Sequence, residues 1–161
     1  MRYPLLLAGA LTTAACIVPT ASPTSGISET IKVISVTTYS HQEPTDGKTG
    51  DYSVDSRDDL MNAAPQFGQR SGVRVGTDVG RFTYTRAHTA TYAGVTRLPG
   101  GTVTVRGLAL SHDGDVVIRV VGGSGRFKSA TGFLTISLGH VKTRSLNTYE
   151  LTLPLPTKNT S

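Results

Sequence analysis

The sequence predicts an all-β domain, a sandwich or a barrel, behind an export leader. Three observations predict it. Strand-forming runs recur at short spacing from residue 71 onward, turn chemistry separates them, and no stretch carries a period of 3.6. With 161 residues, 18 of them Gly and 8 Pro, the chain suits one domain of short strands joined by tight turns.

At the N-terminus, Met1-Arg2-Tyr3-Pro4 precedes an apolar, small-residue run from Leu5 to Val18. A positive residue, a short apolar stretch and small residues near a cleavage point describe a signal peptide, assigned to residues 1–21. The run falls short of the roughly 20 apolar residues that a membrane span needs. The expected location is therefore secreted or at the cell envelope. Cys16 follows Thr13-Ala14-Ala15, an arrangement similar to a bacterial lipoprotein box. A lipid anchor at Cys16 is one reading; part of a discarded leader is the other. Cys16 is the only cysteine, so no disulfide can form within the body. Residues 22–28 read as a Pro/Ser/Thr-rich tether, 29–157 as the β domain and 158–161 as a tail.

Glu29 to Ser40 is dense in Ile, Val, Thr and Tyr and reads as the first strand. His41 to Arg70 reads as a long connection, with Pro44, Asp46-Gly47, Gly50, Pro65 and Gly68 and an acidic group at Asp55, Asp58 and Asp59. A connection of that length is either a mobile surface loop or a lid or binding loop, with a short strand or helical turn around Asp58 to Ala63. Further strands are expected over Val73–Val75, Val79–His88, Ala90–Ala93, Thr102–Leu110, Asp115–Val121, Ala130–Leu138 and Thr148–Leu155. Pro99-Gly100, Asp113-Gly114 and the glycines at 122, 123 and 125 punctuate them, and Asp113-Gly114 is a hairpin signal. Val103 and Val105 share one face against Thr104 and Arg106; Val116, Ile118 and Val120 oppose Val117, Arg119 and Val121. Apolar residues on both faces suit a filled interior and an outer face packed on another subunit, so a homo-oligomer, dimer or trimer, is expected.

Residues 120–132 read VVGGSGRFKSATG: an apolar strand, a glycine turn, an aromatic plug at Phe127 and a small-residue entry into the next strand. This block resembles the GG(T/S)G-x-F-x-x-A-x-G signature of dirigent proteins and allene oxide cyclases. The resemblance spans roughly Arg74 to Leu155 and, more weakly, Glu29 to Tyr39. It implies an eight-stranded antiparallel barrel, often trimeric, with a hydrophobic cavity at one mouth. It also implies a cofactor-independent isomerase or cyclase that folds a reactive hydrophobic small molecule. Where the dirigent proteins carry a His-Asp pair on the first strand, this chain has Thr37-Thr38-Tyr39.

Other chemistries lack their residues. His41, His88, His112 and His140 show no ligand spacing, so no metal is expected, and no cofactor motif appears. No Gly-x-Ser-x-Gly elbow is present, and no Gly-Lys-Ser/Thr follows the glycines. The formal charge is +5, but the basic residues are scattered singly, which argues against a nucleic-acid partner.

Ionisable side chains inside apolar strands are the candidate site residues, because burial there demands a partner. They are Glu150, Arg119 and Arg106, with a Glu150–Arg pair expected inside the barrel, and then Tyr39, Arg81 and Tyr84. The competing reading of each is an outer salt bridge, a surface tyrosine or a subunit contact. Three functions follow: a barrel guiding the cyclisation or stereochemistry of a hydrophobic guest, a non-catalytic ligand-binding or structural protein of the same fold, and an interaction protein acting through the 41–70 segment.

Overall fold

The computed structural model describes residues 26–45, 51–85, 89–112, 114–141 and 143–155. The assigned leader with Cys16, most of the tether, the 158–161 tail and Asp113 lie outside them.

All the regular structure among these residues is β. The strands are β1 (Gly26–Pro44), β2 (Tyr52–Asn62), β3 (Arg74–Tyr84), β4 (Ala90–Leu98), β5 (Gly101–Leu108), β6 (Leu110–His112), β7 (Asp115–Gly125), β8 (Thr131–Leu138) and β9 (Arg144–Pro154). Their order is β5-β4-β3-β2-β1-β9-β8-β7-β6, every pairing antiparallel. A further β5–β7 ladder, from Gly101↔Gly125 to Val105↔Val120, closes the sheet on itself. The short β6 continues the line of β5 past Ala109 and pairs only with the start of β7, so the closed barrel has eight staves. Closure pairs the staves on both sides through the barrel body, while the end of β1, from Tyr39 to Pro44, ladders with β2 alone.

Two features correct the sequence reading. The expected 41–70 connection is largely strand: β1 runs on to Pro44 and β2 occupies Tyr52–Asn62. The reason lies on the inward face of β2, where Ser56, Asp58 and Asn62 stand at positions that an ordinary strand fills with aliphatics. With Asp55, Arg57 and Asp59 on the outward face, no apolar alternation marks the segment. The expected tether also overlaps β1, which begins at Gly26.

The glycine block performs as expected. β7 extends through it, and the turn that follows drops Phe127 into the barrel end, where it is fully buried with Ala130. Gly125 has φ +59, and a Cβ there would stand 2.1 Å from the Gly100 carbonyl oxygen, so the close approach of the two turns requires glycine.

The interior changes character from end to end. At the plugged end, Ile31, Val33, Leu60, Leu98, Val103, Val120, Phe127, Leu151 and Leu153 form an apolar core. Asn62 ties the 63–73 segment across that end through its side-chain amide, which donates to the Gln66 carbonyl at 3.0 Å. Halfway up, the buried residues turn polar: Ser35, Asp78, Thr96, Tyr149 and Asn147. Above this belt the barrel opens.

Candidate functional site

The polar belt is built by strand register. Asp58 faces Asp78 across the β2–β3 ladder, and Asp78 faces Thr96 across β3–β4, so the three side chains form one row on the inner wall. Asp78 is buried and each of its carboxyl oxygens accepts a bond from a hydroxyl. Tyr92 donates to Oδ2 at 2.8 Å and Thr96 donates to Oδ1 at 2.6 Å. The Thr96 hydroxyl also meets the Tyr149 hydroxyl at 2.8 Å. β4 and β9 stand on opposite sides of the barrel, so this last bond spans the lumen and forms the floor of the open half.

Tyr92 reaches Asp78 only because two glycines let it. Gly80 and Gly94 are cross-strand partners, and a Cβ on either would stand 2.2 or 2.4 Å from the Tyr92 hydroxyl oxygen. The ring lies over the pair as over a bare seat.

Electrostatically, the belt favours neutral forms. Burial pushes the Asp78 carboxyl above its ordinary range, and the nearby Asp58 adds to this against the opposing hydroxyl bonds. Burial, followed by the Asp78 charge, likewise raises the Tyr92 and Tyr149 phenols, which stay protonated as donors. Asp58 accepts from the Ser35 hydroxyl at 2.8 Å through Oδ2, while its buried Oδ1 has no hydrogen-bond partner.

Above the floor lies a cavity of about 330 Å³ lined by Asp58, Asp78, Tyr92, Phe82, Ile136 and Asn147, with Arg144 among its other lining residues. It shares Phe82, Tyr84 and Val116 with a second hollow of about 690 Å³ at the lip, whose other walls include Tyr52, Leu108 and Leu110. An aromatic series lines one side. Tyr52 and Tyr84 stack at 4.7 Å between centroids, Tyr84 and Phe82 follow at 5.9 Å, and Phe82 meets Tyr92 at 4.6 Å. Among the described residues no three of His, Cys, Asp and Glu gather to hold a metal ion.

Of the side chains singled out from sequence, only Tyr84 lines this opening. Tyr39, Arg81 and Arg106 do come together, but in a shallow groove of about 550 Å³ on the outer wall, over Val79, Ala93 and Val95. There Arg81 is held by Asp55 at 2.6 Å and by Glu43 at 2.9 Å, and the Arg57 guanidinium lies over the Tyr39 ring. The expected Glu150–Arg pair inside the barrel does not form. Glu150, Arg119 and Arg106 are exposed, and the register places Phe133 between Arg119 and Glu150 on the outer face. Both faces of these strands carry apolar residues, so a charge among them reads from sequence as buried when it faces out. Asp78, Tyr92, Thr96 and Tyr149 went unnoticed because single polar residues next to glycine and threonine break no apolar pattern.

No family model and no curated protein matches the sequence. Solved structures do match in shape. They include a pyocyanin demethylase (TM-score 0.60, 19% identity, 77% of this chain and 100% of that one). A second is AbnU, an exo-specific intermolecular Diels-Alderase (TM-score 0.63, 16% identity, 80% and 98%). A third is the pterocarpan synthase dirigent protein GePTS1 (TM-score 0.61, 15% identity, 89% and 98%). The chain has the dirigent-type barrel fold. The resemblance carried by the glycine block thus holds at the level of the fold, and in this dirigent-type barrel that block forms the plugged end, opposite the opening.

Proposed function

We propose that this barrel takes a hydrophobic small molecule into its open end and guides its cyclisation or stereochemistry, without a cofactor. One observation carries the reading: a buried carboxyl, Asp78, sits at the floor of a ring-walled cavity with a neutral phenol bonded to each side of its hydroxyl network. A carboxyl whose burial favours its protonated form can give its proton to, or recover it from, an oxygen or nitrogen of the guest. Apolar walls fold the guest, and the fixed Tyr92 and Asp78 groups meet charge as it develops. That solved neighbours include a dirigent protein and a Diels-Alderase supports guided cyclisation as the class of reaction.

The test is native mass spectrometry of the protein purified from its own host. A small molecule that leaves on denaturation is expected, and its loss in Val116→Trp, which fills the mouth, places it there. A barrel without guest, or one that holds its guest equally in Val116→Trp, contradicts the reading. With the guest in hand, Asp78→Asn should slow its conversion on the order of 10²- to 10⁴-fold, the usual worth of a general acid or base. A non-catalytic carrier would bind the guest and return it unchanged from wild type and variant alike.

Two further proposals are read from the same spectra. Export rests on the leader at 1–21, and the mature mass gives its cleavage point and any lipid on Cys16. Self-association as a dimer or trimer rests on Val121, Phe133 and Leu146, exposed on the outer face of β7 to β9. A full-length, unmodified monomer would remove both.

A further inference from the structure

We infer that the guest of this cavity is a planar, delocalised cation, its flat face on the Tyr52–Tyr84–Phe82–Tyr92 wall and its charge towards Asp58. The inference rests on the reading of the open end as a small-molecule site, and it adds the chemical class of the molecule.

The first support is the unbalanced charge of the lumen. Asp58 lines the cavity, and Ser35 occupies one of its oxygens while the other is buried and accepts nothing. Among the described residues no cation pairs with it. Arg144, exposed at the rim, is the one cation lining this cavity among those residues. A carboxylate out of water is costly unless a positive partner or hydrogen bonds compensate it. Asp78, directly across the ladder, provides the opposite: a second acid, each oxygen already bonded by Tyr92 or Thr96. Apart from Arg144 at the rim, the described wall holds no cation for Asp58, and a positively charged guest would provide one.

The second support is the wall itself. Its ring series runs from lip to floor, ending at the ring bonded to Asp78. Aromatic faces are electron-rich and attract cations, most strongly where water is excluded. Stacked rings also select a flat partner over a branched one. An anion would meet two carboxyls and four negative ring faces; the outer groove, with Arg57 and Arg106 free of carboxylate partners among the described residues, is where an anion would go instead.

Three probes of one three-ring shape separate the possibilities by fluorescence titration of the full chain: 10-methylacridinium, neutral acridine and anthracene-9-carboxylate. Methylacridinium should bind about tenfold tighter than acridine, and the carboxylate should not compete. Asp58→Asn should abolish that preference by weakening methylacridinium about tenfold more than acridine. Tyr84→Leu, which keeps both acids, should weaken methylacridinium more than acridine, and it decides the matter if Asp58→Asn does not fold. Equal binding of all three probes, lost in Val116→Trp, would overturn the charge inference and leave the small-molecule site standing. Tightest binding of the carboxylate would do the same. Binding of no probe, or binding untouched by Val116→Trp, would overturn both.

Discussion

Asp78 couples the site to stability. Its carboxyl is raised above the ordinary value of 3.8 by burial, so the folded chain holds a proton that the unfolded chain releases. The contribution is fully present below about pH 3.8 and is lost as pH climbs through the higher, folded value. Asp78→Asn, which cannot ionise, should therefore gain on the wild type as pH rises from 4 to 8 in thermal unfolding. Parallel curves across that range would show that burial does not perturb this carboxyl. Arg81 invites no such prediction, because its bonds to Asp55 and Glu43 lie in solvent, where ion pairs count for little. Single polar residues are the least legible feature of this sequence. Arg106, Arg119 and Glu150 read either as an inward charge pair or as outer-face charges, and all three face out. Asp58 reads as part of a connection, and Asp78 goes unmarked. A lone Asp in Val-Gly-Thr-Asp-Val-Gly has no apolar neighbours in register to announce an inner face, whereas an Arg among valines looks buried.

Elements were legible in proportion to how hydrophobic their inner face is. β7, with Val116, Ile118 and Val120 turned inward, was read almost to its ends, and so was the start of β1 with Ile31 and Val33. β2 shows in the sequence only as a short strand or turn around Asp58 to Ala63, and β4 only as far as Ala93, since their inner faces are given to Ser56 and Asp58, and to Gly94 and Thr96. Those are the strands that build the polar belt. Local rules fail where a fold gives up packing for a site. The Gly80–Gly94 seat is the clearest case, because two glycines in mid-strand weaken the sheet and gain nothing except room for Tyr92. Gly94→Ala should cost about 1–3 kcal/mol in urea unfolding, the usual range for overpacking combined with a displaced buried hydrogen bond. It should also loosen binding at the mouth, because the methyl drives Tyr92 off Asp78. A variant as stable as the wild type, with its Tyr92–Asp78 bond intact, would mean the strands part easily and the seat is not required.

Across the whole molecule, one end is shut and the other open. The shut end was readable from the glycine block and Phe127, because turn chemistry and an aromatic plug are local features. Barrel closure was not local: it depends on β5 finding β7 as well as β4, which strand propensity does not encode and which only the resemblance supplied. Phe127→Ala should cost about 3–5 kcal/mol, the range for emptying a fully buried aromatic site. It should leave guest binding at the far end in place, as measured by unfolding and titration on the same samples. Loss of binding with only mild destabilisation would mean that the two ends are not independent.

The proposed function requires the open end to be the place where a small molecule is held. The direct measurement is the map of backbone amide shifts in NMR spectra as N-phenyl-1-naphthylamine, a neutral apolar probe, is added. The shifts should gather on Asp58, Asp78, Phe82, Tyr84, Tyr92 and Asn147. Shifts gathered instead on Tyr39, Arg81, Ala93 and Arg106 of the outer groove, or none at saturating probe, would contradict it.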